Sequence, residues 1–116
     1  MAKQYKLAPS DIQQLTMKGA GACIASDKIT VDGARVGFMY REEKSEHPLD
    51  NGWRFLAGTE TDEYLADKNN LDTYAINTIA NFDPDILPLL PSPRGSAFMR
   101  VNGKFMPAQM PPQAKK

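Results

Sequence analysis

One cysteine, one histidine and one tryptophan are all that 116 residues provide. A single thiol, Cys23, cannot close an internal disulfide and fits a reducing compartment. One cysteine and one histidine cannot make the usual four-ligand structural zinc site, so no metal and no cofactor is expected. No segment approaches the ~20 apolar residues of a membrane helix, and the N-terminal MAKQYKLAPSDIQQ has no apolar core of signal-peptide length. A cytoplasmic protein is the expectation. Basic excess is missing as well: 14 Lys and Arg face 14 Asp and Glu. Neither nucleic acid nor an anionic membrane surface is therefore an expected partner. Gly19-Ala20-Gly21 has the look of a dinucleotide fingerprint but precedes a strand instead of following one, so no phosphate loop is assigned.

What is present suits one domain. A chain of this length buries roughly 65% of its unfolded surface, enough for one core. The expected domain spans 1–106, and the Pro-, Gln- and Lys-rich residues 107–116 read as a disordered tail. Ser10 is placed to cap a helix carrying Ile12, Leu15 and Thr16 and closing at Lys18-Gly19. Ala22–Ala25 reads as a strand of small residues. Ser26-Asp27-Lys28 reads as a turn and Ile29-Thr30-Val31 as a short β-branched strand. Thr59 or Thr61 can cap a helix whose first turn holds Asp62 and Glu63. Leu71, Ala75, Ile79 and Phe82 predict a helix over 71–82, stopped by Asp83-Pro84. Pro84–Leu87 reads as one helical turn, and Pro88 to Pro93 as extended chain. Asn102-Gly103 predicts a hairpin between Ser96–Val101 and Lys104–Met106.

The stretch Val36 to Glu60 organises the rest. Two apolar–aromatic runs, Val36–Tyr40 and Trp53–Ala57, flank a charged connection containing Pro48 and the turn signal Asp50-Asn51-Gly52. Period-2 alternation puts Val36, Phe38 and Tyr40 on one face, and Gly37, Met39 and Arg41 on the other. In the second run Trp53, Phe55 and Ala57 oppose Arg54 and Leu56. The two runs should lie side by side. The fold class is α+β: a mainly antiparallel sheet of about five or six strands, with helices packed on one face.

Candidate chemistry is sparse. Glu60, Asp62 and Glu63 could do acid–base work with Arg41 or Arg54 as electrostatic partners, although capping a helix start is the plainer role. His47, between Glu46 and Pro48, reads as a solvated loop residue before it reads as a base. Cys23 has no activating neighbour in sequence and reads as inert packing. Trp53 reads as a core anchor first and an interface aromatic second. Met39, Met99 and Met106 read as core filler and Met110 as tail, with an adaptable contact surface as the alternative.

Val36-Gly37-Phe38-Met39-Tyr40-Arg41-Glu42, then Asn51-Gly52-Trp53-Arg54-Phe55 and Ala57-Gly58-Thr59-Glu60, resemble a bacterial family grouped with predicted immunity proteins of polymorphic toxin systems. The likeness runs from about Ala22 to Arg100 and includes Asp83-Pro84 and Ser96-Ala97-Phe98. Thr59 stands where the family pattern has Asp. The resemblance implies a non-catalytic binding module whose partner is a cognate toxin. It would work by covering the toxin through surface complementarity. The expected binding surface is the Arg41–Gly52 loop, including His47, with Trp53, Arg54, Glu60 and Asp62. The alternative is a small-ligand protein or enzyme using Arg41 and Glu60. A homo-oligomeric structural protein is a third reading.

Overall fold

Among the described residues six strands form one sheet in the order β4-β1-β3-β2-β5-β6. The computed structural model describes residues 3–16, 21–44 and 47–110. The strands are β1 (Ala22–Ser26), β2 (Phe38–Arg41), β3 (Asp50–Leu56), β4 (Leu71–Ala75), β5 (Ala97–Val101) and β6 (Lys104–Pro107). Three short helices, α1 (Asp27–Thr30), α2 (Asp62–Ala66) and α3 (Ile76–Phe82), are joined by a 3-10 segment, Pro84–Leu89. The sheet is mostly antiparallel, and only β1 against β3 runs parallel. The fold is α+β, as expected.

The two aromatic runs lie side by side. Met39 pairs with Phe55 and Arg41 with Trp53 in an antiparallel ladder. Alternation along β3 sends Trp53 and Phe55 into the core, where their rings stack at 5.9 Å. Cys23 and Ala25 of β1 and Met39 of β2 complete that face. Ile29 of α1, Ile76, Ile79 and Ala80 of α3, and Ile86 of the 3-10 segment pack onto it. Full burial of each large side chain contributes roughly 1.5–3 kcal/mol. These residues place α1, α3 and the 3-10 segment on one side of the sheet, while α2 buries no residue.

Several local expectations are corrected. The helix predicted from Ser10 is only a 3-10 turn, Pro9–Asp11, and the described residues after it carry no helix. Its expected end at Lys18-Gly19 lies outside the described residues. Side-chain amides of α3 hold this segment instead. Asn77 Oδ1 accepts the N–H groups of Leu15 and Thr16, and Asn81 Oδ1 accepts that of Gln13. Ile29-Thr30-Val31 is not a strand. The Ser26 hydroxyl accepts the Lys28 N–H and starts α1, so the turn signal was a helix cap. Residues 71–75 are strand, not helix. They pair with β1, Tyr74 opposite Cys23, and the backbone bonds on offer there outweigh a 3.6-residue pattern. Only from Ile76 does the helix begin. The 3-10 turn continues through Pro88 to Leu89, so Pro88 does not start an extended run.

Asp50-Asn51-Gly52 is no free turn but the start of β3, where Gly52 takes φ +92°. Asp50 accepts the Gly52 N–H and Asn51 that of Trp53, making a local bulge that shifts the register with β1. The hairpin at Asn102-Gly103 forms as read, with both residues at positive φ. The sheet extends past position 106: Pro107 lies in β6 and Ala108 N–H donates to Ala97. Residues 111–116 lie outside the described ones.

Candidate functional site

Trp53 sits inside the protein, 1% exposed, with its indole N–H donating to the Leu90 carbonyl at 3.2 Å. The Arg41 guanidinium lies 5.9 Å from that ring and donates to the carbonyls of Asn51 and Ser92 at 2.7 and 2.8 Å. Desolvation, then the nearby Arg94, pull the Arg41 pKa below its ordinary value. Arg41 is thus spent on tying β2 to the Ser92 turn and β3.

Arg54 points to the opposite face. It grips Asp50 through two N–H groups at 2.9 and 2.8 Å and lies 3.7 Å from Glu42. Desolvation opposes the charge on Arg54, but the Asp50 bond and the two carboxylates overcome it and raise its pKa. The same bond holds the Asp50 carboxyl below its ordinary value, against desolvation. His47 is exposed, and its Nδ1 accepts the Leu49 N–H at 3.1 Å. Residues 45 and 46 of the expected loop lie outside the described ones.

Glu60 closes the turn that follows β3. Its two carboxylate oxygens accept the N–H groups of Ala57 at 2.8 Å and Gly58 at 2.9 Å. Desolvation works against the charged form, yet these donors and the Ser26 hydroxyl hold the carboxyl below its ordinary value. No Lys or Arg pairs with Glu60 among the described residues. Asp62 is exposed in the first turn of α2, after the Thr61 cap. Arg41 and Glu60 do not meet: Arg41 pairs with Trp53 at one end of the β2–β3 ladder, and Glu60 lies past Leu56 at the other. A pocket shared by the two, which the enzyme alternative needs, is not formed.

Two features escaped sequence reading. The first is Asp83, fully buried, which accepts the Val36 N–H at 2.9 Å, the Asp85 N–H at 3.1 Å and Arg100 at 2.6 Å. Arg100 also donates to the Val36 carbonyl and lies 4.3 Å from the Phe105 ring. This network pins the end of α3 to β5 and the entry to β2. Asp83 reads in sequence as a helix stop, and nothing in its neighbours announces a distant arginine.

The second is a row across the open face of the sheet. Leu56 on β3 pairs with Phe38 on β2, Phe38 with Met99 on β5, and Met99 with Met106 on β6. Met99 and Met106 are 47% and 50% exposed. Their expected place as core filler is corrected, and of the three methionines only Met39 is buried. Alternation from the buried Met39 and Phe55 forces this row outward. A cleft of about 450 Å³ runs along it, lined by Phe38, Leu56, Met99 and Glu60 together with Arg100. Its floor passes Gly37, where a Cβ would collide with the Ala57 carbonyl oxygen. Only glycine permits that close backbone approach.

Cys23 is buried, and desolvation pushes its thiol far above the ordinary value, which favours the protonated form. Among the described residues no group of three His, Cys, Asp or Glu side chains could hold a metal ion. Nor is any helix among them long and apolar enough to cross a membrane.

Residues 23–108 match the family model described as Immunity protein Imm33 domain. The chain belongs to this family. The Imm33 match runs from Cys23 in β1 through β6 and omits the N-terminal segment held by Asn77 and Asn81. No curated protein matches the chain, and no solved structure does.

Proposed function

We propose that this protein neutralises a cognate toxin by binding it, without catalysis of its own. Membership of the Imm33 immunity family carries the reading. The side chains support it: Arg41, Arg54 and Glu60 are committed to bracing the backbone or to ion pairing, and Cys23 is masked. Of the residues expected at the interface, His47, Arg54, Glu60 and Asp62 reach the surface and form its polar part. Trp53 and Arg41 act from within by fixing the geometry of β2 and β3.

The test is co-expression with a candidate toxic domain taken from a neighbouring gene, followed by purification of both. Cells should survive the toxic domain only when this chain is present, and the two purified proteins should form a stoichiometric complex. Survival without a complex would point to an enzymatic mode. Failure to rescue would end the immunity reading.

A further inference from the structure

The open sheet face has a middle and a border of different chemistry. Leu56, Phe38, Met99 and Met106 span four adjacent strands in register. At a strand spacing of about 4.8 Å the strip is about 15 Å long, the scale of a protein hot spot. Methionine and phenylalanine side by side adapt their shape to a partner and give it much apolar area.

The border is charged. On one side Asp50 and Glu42 face a single guanidinium, that of Arg54. On the other stands Glu60, which lines the cleft itself. Elsewhere the buried Asp83 is matched by Arg100, and the half-buried Asp50 and Asp27 by Arg54 and Lys3. Glu60 has no such partner among the described residues, although desolvation acts on it. Its oxygens accept backbone N–H groups and the Ser26 hydroxyl, so neutral donors hold its negative charge beside Phe38, Leu56 and Met99. Arg100, which also lines the cleft, is paired with Asp83 and Asp85, and Lys104, opposite Val101 at the hairpin tip, lies beyond the far end of the strip.

An apolar trough with an ionised carboxylate at its end fits a long basic side chain. The methylene stem lies on apolar surface and the cationic head reaches the charge. Resting on the immunity reading, we propose that this strip is where the toxin docks. The toxin inserts a lysine or arginine, flanked by apolar residues, along Phe38 and Met99 toward Glu60.

Substitutions at Met99 test this, because the side chain is about half exposed and lies outside the core cluster. The probe is the toxic domain that the wild-type chain neutralises, with affinity measured by calorimetry and folding by thermal melts. Met99→Lys should weaken binding by about thirtyfold or more, through repulsion of the incoming cation. Met99→Glu should bind markedly better than Met99→Lys, with both variants melting like the parent. Glu60→Gln, which keeps one oxygen for the Ala57–Gly58 turn, should weaken binding and flatten its salt dependence.

Wild-type affinity in both Met99 variants would overturn the docking site while leaving the immunity function intact. Equal losses for lysine and glutamate would overturn the inserted cation. A dimer in light scattering that Met99→Lys dissolves would assign the strip to a second copy instead and overturn the proposal. No complex even with the wild-type chain would fail the immunity reading first.

Discussion

Trp53 and Leu56 stand on the same strand and look in opposite directions. The face that Trp53 shares with Phe55 and Met39 is sealed by isoleucines from α1, α3 and the 3-10 segment. The face that Leu56 shares with Phe38, Met99 and Met106 leaves both methionines about half exposed. Both are apolar, and composition alone does not separate them. The difference lies in what answers the polar groups. On the sealed side the indole N–H meets the Leu90 carbonyl, and buried Asp83 meets Arg100 and two backbone N–H groups. On the open side Glu60 holds a turn and, among the described residues, no cation. Stability is concentrated on one side of the sheet, and capacity for contact is left on the other.

Substitutions should divide along that line. Trp53→Ala removes the largest sealed side chain and should cost about 3–5 kcal/mol in urea unfolding. A parent-like midpoint would mean that the two faces are not distinguished as described. Asp83→Asn keeps the shape but weakens the grip on Arg100 and on the Val36 N–H, and should cost about 1–3 kcal/mol. Faster amide exchange at the β2 and β5 ends would accompany it.

The next effect is on pH. Asp50 and Glu60 are held below their ordinary values of 3.8 and 4.5, so the unfolded chain binds these protons more tightly than the native one. Their contribution is fully present above about pH 4.5 and is lost as pH falls through the native values. The melting temperature should drop on acidification below that point, and Glu60→Gln should make the drop shallower. A rise in stability over the same range would contradict the assigned bonds. Smallest of all, Met99→Ser on the open face should change stability by no more than about 0.5 kcal/mol, read from the same urea titration.

The sealed face was legible in the sequence and the open one was not. Alternation in Trp53-Arg54-Phe55-Leu56 assigns sides within β3, and Asn102-Gly103 dictates its hairpin, because both signals are local. Which strand lies beside which is not local. The row from Leu56 to Met106 exists only because β2 separates β3 from β5 and β6 follows, a fact of register. Without it, Met99 and Met106 read as core. Leu71–Ala75 misled for a related reason: its spacing matches a helix, and only the distant β1 makes it a strand. Ser26 was ambiguous because capping a helix and opening a turn use the same side-chain oxygen. Among the expected site residues, Glu60 was read as a helix-start carboxylate, while its bonds run backwards to Ala57 and Gly58. The Asp83–Arg100 pair spans elements that no short motif connects.

β1 comes first in the chain among the strands, yet it lies between β3 and β4. Neither neighbour exists until residues 50 to 75 have been synthesised. The hairpin of β5 and β6 can close as soon as it leaves the ribosome, whereas β1 must wait for partners far downstream, a slow kind of closure. Through that interval the nascent chain displays Cys23 and its small apolar neighbours uncovered. The sulfur that the finished fold buries is therefore covered only once β3 and β4 are in place.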